Sequence, residues 1–283
     1  MSGKLINGKE IGQTIRQSIQ LEVNALKEKG VTPGLAVILV GDDPASHKYV
    51  SNKQKSCAQL GIYSELIQLP ADTTEDVLLN HIEALNNNDA IDGILVQLPL
   101  PKHIQEDAVI AKISPLKDVD GFHPISVGKM LLGQETFLPC TPHGVMKLLQ
   151  HSGVETSGKH AVVVGRSHIV GVPMGQLLLQ SDATVTYCHS KTKDLQSITK
   201  QADILVVATG RAKMIKKEHV KEGAVVIDVG MDLDENGKLC GDVDFDDVLE
   251  KVSAITPVPG GVGPMTITML LVNTVQSAKQ KLS

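Results

Sequence analysis

Tyr49, Val50, Lys53, Cys57 and Leu60 recur at the three- and four-residue spacing of one helix face, and the company Lys53 keeps is apolar. A lysine in that position either snorkels to water along its own stem or stays partly desolvated. In the second case its amine loses its proton more readily than a surface lysine does and can serve as a base near neutral pH. Tyr49, one turn earlier, shares its surroundings. A second polar group in an apolar setting is Gln97, which closes the run Ile91–Leu98 just before Pro99 and Pro101. A buried amide at the C-terminal end of a strand needs partners, supplied by the fold or by a ligand bound there. Asp118 and Asp120 follow in a Pro/Gly/Asp-rich passage. They are either turn residues or, if one faces a cleft between domains, an acceptor for an N–H-rich heterocycle.

A different chemistry is written after His160-Ala-Val-Val-Val164. Gly165-Arg166-Ser167-His168-Ile169-Val170-Gly171 leads from this strand pattern into a helical stretch through Leu179. A strand, a glycine-bearing turn and a helix start present backbone N–H groups to an anion. The spacing is G-x5-G, so the G-x-G-x-x-G fingerprint is absent, and a plain structural turn is the alternative. The next strand, Thr184–Cys188, runs into His189-Ser190-Lys191-Thr192. Sites that prefer NAD place an acidic residue about 20 residues after the first turn, on the ribose hydroxyl. None stands here to repel a 2′-phosphate. Arg166 or Ser190 alone reads as a solvated loop residue; together, at two successive strand ends, they favour NADP over NAD. Ala208-Thr209-Gly210 and Val229-Gly230-Met231 put small residues at two further strand ends, where a nicotinamide ribose would pass or where the chain merely turns.

The elements that must hold these groups follow from composition and rhythm. With 283 residues, about two domains are expected, and 2% aromatic content leaves their cores to aliphatic side chains, as in buried parallel sheets. Short Val/Ile/Leu runs at Leu35–Val40, Ile91–Leu98, His160–Val164, Thr184–Cys188, Ile204–Ala208 and Ala224–Val229 alternate with helix-length amphipathic stretches. That alternation predicts an α/β protein of two α/β domains around a cleft, the second Rossmann-like with a mostly parallel sheet. Ile11, Ile15, Ile19, Val23 and Leu26 mark an opening helix ending at Lys29-Gly30, and Thr141-Pro142 starts another. The passage Ser114–Pro124 separates the two strand groups. Thr256–Thr266, with Pro257, Pro259, Pro264, Gly260, Gly261 and Gly263, returns the chain so that the last helix packs on the first domain. The expected division is 1–120 with 262–283, against 121–261.

The charge balance, 27 Lys+Arg against 32 Asp+Glu, offers no basic block for a row of phosphates, so nucleic acid is not an expected partner. No apolar run approaches the ~18 residues of a membrane span, and Met1–Gly8 has no signal-peptide core, so a cytoplasmic protein is expected. Cys57, Cys140, Cys188 and Cys240 lie far apart without metal-site spacing, and neither a metal nor a disulfide is expected.

Six stretches, in this order, resemble the bifunctional methylenetetrahydrofolate dehydrogenase/cyclohydrolase family over essentially the whole chain. They are Tyr49-Val-Ser-Asn-Lys53, Gly93–Pro101, Asp118–Pro124, Pro139-Cys-Thr-Pro142, Gly165-Arg-Ser167 with Val170-Gly171, and Pro259-Gly-Gly-Val-Gly-Pro-Met-Thr266. The resemblance implies oxidation of 5,10-methylenetetrahydrofolate with NADP to the methenyl cation, and hydrolysis of that cation to 10-formyltetrahydrofolate. It implies that Lys53 is essential to hydrolysis, that Tyr49 packs on the folate rings, that Gln97 hydrogen-bonds and tunes Lys53, and that Asp120 holds the pterin. Gly165, Arg166, Ser167, Ser190 and Met231 match NADP contacts. Val96 and Leu98 flank Gln97 on the substrate side, and Pro259, Gly260, Gly261, Val262 and Gly263 match the substrate-side loop. Where the family commonly carries Asn, this chain has Ser126, which is expected to make the same local contacts. A stand-alone homodimer is implied. On fold grounds alone, the alternative is an NADP-dependent dehydrogenase of another small substrate.

Overall fold

The structure is a computed structural model that describes residues 3–282. In chain order its elements are β1 (Lys4–Leu5), α1 (Gly8–Glu28), β2 (Gly34–Val40), α2 (Pro44–Leu60), β3 (Tyr63–Leu69), α3 (Glu75–Asn86), β4 (Gly93–Val96), α4 (Glu106–Lys112), α5 (Pro124–Leu131), α6 (Cys140–His151), β5 (His160–Val164), α7 (Gly171–Gln180), β6 (Thr184–Cys188), α8 (Leu195–Thr199), β7 (Ile204–Val207), β8 (Val225–Asp228), β9 (Asp232–Leu233), β10 (Leu239–Cys240), α9 (Phe245–Val248), β11 (Ala254–Ile255) and α10 (Val262–Lys279). They fall into two compact units, Thr14–Cys140 with Ile267–Ser283, and Met1–Gln13 with Thr141–Thr266.

The unit built on Thr14–Cys140 centres on a parallel sheet in the order β3-β2-β4, in which Val37 pairs with both Leu66 and Leu95. Every residue of β2 is buried, as expected of a central parallel strand with both faces covered. Its side chains pack with Leu78, Ile82 and Leu85 of α3 and Val109 of α4. Truncating any of these large side chains to Ala costs about 2–5 kcal/mol. The late part of α10 belongs to this unit: Asn273 donates to the carbonyls of Val119 and Leu138 (2.8 and 3.0 Å), and Ser277 donates to those of Asp92 and Leu116 (2.7 and 2.9 Å).

The second unit holds a six-stranded sheet in the order β1-β11-β8-β7-β5-β6, parallel throughout. Its core is aliphatic, with Val162, Leu205, Val207, Val226 and Ile255 fully buried. The outermost strand, β1, comes from the start of the chain, with Lys4 paired to Ala254. The expected division put residues 1–13 with the other unit and began the second at 121. Two-residue strands carry no periodicity from which this pairing could be read.

The strands expected at Leu35–Val40, His160–Val164, Thr184–Cys188 and Ile204–Ala208 are present to within a residue, while Ile91–Leu98 shortens to β4. The strand β3 had no counterpart in the sequence reading; Glu65 and Gln68 interrupt its apolar pattern, and it lies at a sheet edge. Among the described residues no helix is long and apolar enough to cross a membrane. All four cysteines are free and buried.

Candidate active site and nucleotide site

The helix α2 starts where Asp43 accepts a hydrogen bond from the Ser46 N–H (2.8 Å), with Pro44 in its first turn, and stops at Gly61 in the left-handed region (φ 69°). Between these caps its buried stripe is Ser46, Val50, Lys53, Ser56, Cys57 and Leu60. Lys53 does not snorkel out: its side chain is 5% exposed. Its Nζ donates to Gln97 Oε1 at 3.0 Å and lies 5.0 Å from the centre of the Tyr49 ring, which is half-buried. Burial lowers the pKa of Lys53 below the usual lysine range, and the Asp120 carboxylate counters part of that effect. Burial raises the pKa of Asp120 in turn, opposed by Lys53.

Gln97 stands one residue beyond β4, where its N–H still bonds the Ile38 carbonyl (2.8 Å) and extends the ladder. Its own amide NH2 donates to the Leu98 carbonyl at 2.7 Å. Val96, Leu98 and Asp120 line one small hollow together with Phe122. The Leu98–Pro99 peptide is cis.

The structure separates the two linker aspartates. Asp118 is a turn residue: buried, it accepts from the N–H groups of Phe122 (3.2 Å) and His123 (2.9 Å), and burial pushes its pKa up to about 6. Asp120 is the one beside Lys53. Ser126 lies near Asp118, but its buried Oγ makes no hydrogen bond, so the side-chain contacts expected of it are not formed.

Two residues here were not assigned a role from sequence. The Cys140 thiol donates to the Val119 carbonyl (3.3 Å) and abuts Asp120; burial raises its pKa well above 9, so it stays a neutral donor. Asn273 donates to the same Val119 carbonyl (2.8 Å) and its NH2 also contacts the Cys140 sulfur (3.7 Å). Its signal was the one that marked Gln97: a lone amide inside an apolar run, here Leu270–Val275.

In the other unit, β5 leads to Gly165 at φ 141°, where a side chain would run into the Ala208 carbonyl. Gly171, at the start of α7, lies so close to Gly165 that a Cβ would sit 2.5 Å from its carbonyl carbon and oxygen. The two glycines thus let the loop fold flat against β7 and the helix start. Ser167 Oγ accepts from the N–H groups of Val170 (3.2 Å) and Gly171 (3.3 Å). Arg166 and Ser190 are both exposed, and the pairing of Val164 with Cys188 puts the loops that carry them at neighbouring strand ends. Residues 189–193 include no carboxylate to repel a 2′-phosphate. The residues fit the group expected of them. Met231 is exposed after β8.

Pro259–Gly263 belongs to this same unit, not to the one that holds Lys53. The loop is backbone-tight: Gly261 faces Pro257 O at 2.6 Å from a would-be Cβ, Gly260 has φ 111°, and the Gly260 carbonyl accepts from Lys9 N–H (3.2 Å). Val262 opens α10.

Residues 6–120 match the tetrahydrofolate dehydrogenase/cyclohydrolase catalytic domain, and residues 139–282 match the NAD(P)-binding domain of the same family. The chain belongs to the tetrahydrofolate dehydrogenase/cyclohydrolase family. It is 70% identical over 283 residues to the bifunctional protein FolD of Lysinibacillus sphaericus, covering 100% of both chains. Among solved structures it is similar to the bifunctional enzyme FolD of Campylobacter jejuni (52% identity, TM-score 0.97, 99% of this chain and 100% of that one). It is also similar to the Trypanosoma brucei methylenetetrahydrofolate dehydrogenase-cyclohydrolase, solved with NADP cofactor and inhibitor (40% identity, TM-score 0.96, 100% and 99% covered).

Proposed function

We infer that this chain oxidises 5,10-methylenetetrahydrofolate to 5,10-methenyltetrahydrofolate with NADP and hydrolyses the product to 10-formyltetrahydrofolate. The observation that carries the reading is the buried Lys53 amine held by Gln97 beside Tyr49 and Asp120. NADP supplies the acceptor for the hydride that leaves the folate methylene carbon.

Each residue has a role in this scheme. Asp120, with Val96 and Leu98 around it, accepts from the pterin's N–H groups, and Tyr49 stacks on its rings. Water then adds to the electrophilic methenyl carbon. Lys53, whose charged form burial disfavours, takes a proton from that water as the free amine; its conjugate acid returns a proton to the nitrogen whose bond to carbon breaks, and the ring opens. The substrate's positive charge further favours the neutral amine. Gln97 keeps the amine aimed. Gly165, Arg166, Ser167, Ser190 and Met231 hold NADP, with Arg166 and Ser190 on the 2′-phosphate, and Pro259–Gly263 contributes to folate binding. The unit with Lys53 is accordingly the catalytic domain and the six-stranded unit the NADP domain.

Purified protein given methylenetetrahydrofolate and NADP should develop the methenyl absorbance, and none appearing would remove the reading. Lys53→Ala should lose at least about a hundredfold in cyclohydrolase rate while NADP affinity holds. A homodimeric enzyme acting in the cytoplasm is the companion proposal, resting on the family resemblance. Sedimentation equilibrium checks it, and a monomer at micromolar concentration rejects it.

A further inference from the structure

We propose that Asp242 is a positioning residue for the dehydrogenase reaction: it fixes the backbone wall of the NADP crevice at the end of β7. The inference rests on the reading that this unit binds NADP. In the sheet order, β5 has β6 on one side and β7 on the other, so the chain reverses direction across the sheet between β5 and β7. Ligands of open α/β sheets bind outside the carboxyl ends of the strands at that reversal. One wall is the Gly165–Ser167 loop. The other is the turn Ala208–Arg211, and the two touch, since a Cβ on Gly165 would strike the Ala208 carbonyl.

What holds the second wall is not in its own sequence. Asp242 is fully buried, and its carboxylate gathers three successive backbone N–H groups. Oδ2 accepts from Thr209 (2.6 Å) and Gly210 (3.3 Å), and Oδ1 accepts from Arg211 (2.7 Å). Successive N–H groups turned to one side form a concavity for an anion, and here the protein fills it with its own side chain. The arrangement continues through a second buried aspartate. Asp228 accepts from the N–H groups of Gly230 (2.9 Å), Asp242 (3.0 Å) and Val243 (2.9 Å). A Cβ on Gly230 would lie 2.6 Å from Asp242 Cγ. The turns after β7 and β8, where a nicotinamide ribose would pass if the small residues there serve more than the turn itself, are therefore locked to one another by Asp228 and Asp242. Both carboxylates are buried and bound to backbone N–H groups, so the arrangement serves geometry and not ligand charge.

Asp242→Asn keeps the volume but turns an NH2 toward N–H groups that need an acceptor. It should raise KM for NADP at least tenfold, while cyclohydrolase activity on methenyltetrahydrofolate, which uses no NADP and relies on Lys53, stays within about twofold. An unchanged KM for NADP in a folded variant overturns the proposal. So does a parallel fall of both activities with thermal stability, which would mark a purely structural role. If the variant does not fold, amide hydrogen exchange of the wild-type protein decides: strong protection at Thr209 and Arg211 upholds the clamp, and free exchange at both overturns it. Wild-type enzyme that fails to reduce NADP would instead refute the parent reading, a separate result.

Discussion

Lys53 Nζ donates to Gln97 Oε1 at 3.0 Å, and Gln97 in turn donates its NH2 to the Leu98 carbonyl at 2.7 Å. The second bond settles which end of the amide faces the lysine: the oxygen, which accepts from the amine in either protonation state. Gln97 thus aims Lys53 without adding a charge that would hold its proton on.

Gln97→Glu alters that relation by one charge. A carboxylate 3 Å from the amine favours the ammonium form, and each unit by which the Lys53 pKa rises removes about tenfold of the neutral base at a given pH. The cyclohydrolase rate at pH 7 should fall by about ten- to a hundredfold, and its rise with pH should move to higher pH. In the native enzyme that rise should lie below the range of an ordinary lysine, because burial lowers the Lys53 pKa. Overlapping pH–rate profiles for the two proteins would rule out Gln97 as the tuning group.

Arg166→Ala removes the arginine that is proposed to meet the 2′-phosphate. A charge-assisted hydrogen bond is worth about 1.5–3 kcal/mol, so kcat/KM with NADP should drop by about ten- to a hundredfold while the value with NAD changes little. Steady-state kinetics with both nucleotides measure this, and an unaltered NADP-to-NAD ratio would dismiss the phosphate contact.

Gly171→Ala forces a methyl group against backbone, 2.5 Å from the Gly165 carbonyl and 2.7 Å from Arg166 N. Neither can swing aside as a side chain would, so α7 and the loop must part. Stability should fall by about 1–3 kcal/mol and KM for NADP should rise severalfold, read from thermal unfolding and initial rates. A variant as stable and as tight as wild type would mean that the loop is looser than its packing implies.

His143 governs part of the acid sensitivity. Burial lowers its pKa from 6.5 to about 4, and its Nδ1 has no hydrogen-bond partner. Between those two values the unfolded chain binds a proton that the folded one does not. Stability from this residue is therefore complete above pH 6.5 and drains away as pH falls toward 4, by at most about 3 kcal/mol. His143→Gln should flatten the decline of Tm over this window relative to wild type; equal slopes would assign the decline to the carboxylates.

What could be read ahead of the structure was local or periodic. Lys53 stands out because the spacing of Val50, Cys57 and Leu60 fixes the buried face of α2 within a few turns. Gly165 stands out because a strand pattern precedes it and a helix follows. Asp118 and Asp120, two residues apart, are alike in their local pattern; only the family resemblance singled out Asp120, and the structure gives them different partners, backbone N–H groups for one and Lys53 for the other. Asp242 carried no signal at all, because an aspartate in Gly241-Asp242-Val243 reads as a turn. Its three N–H donors lie some thirty residues earlier, across a pairing that only the sheet creates.

The pairing of Lys4 with Ala254 bears on how the molecule is made. A growing chain emits its first strand long before the strand that receives it, and residues 14–140 must find their fold in between. That unit in turn waits for Asn273 and Ser277, made more than a hundred residues after the carbonyls they bind. Neither unit is a continuous stretch of sequence, so each closes only after a segment of the other has been made. Until β11 has been made, β1 has no strand to pair with, a stage at which a holding chaperone or a neighbouring nascent chain competes for it.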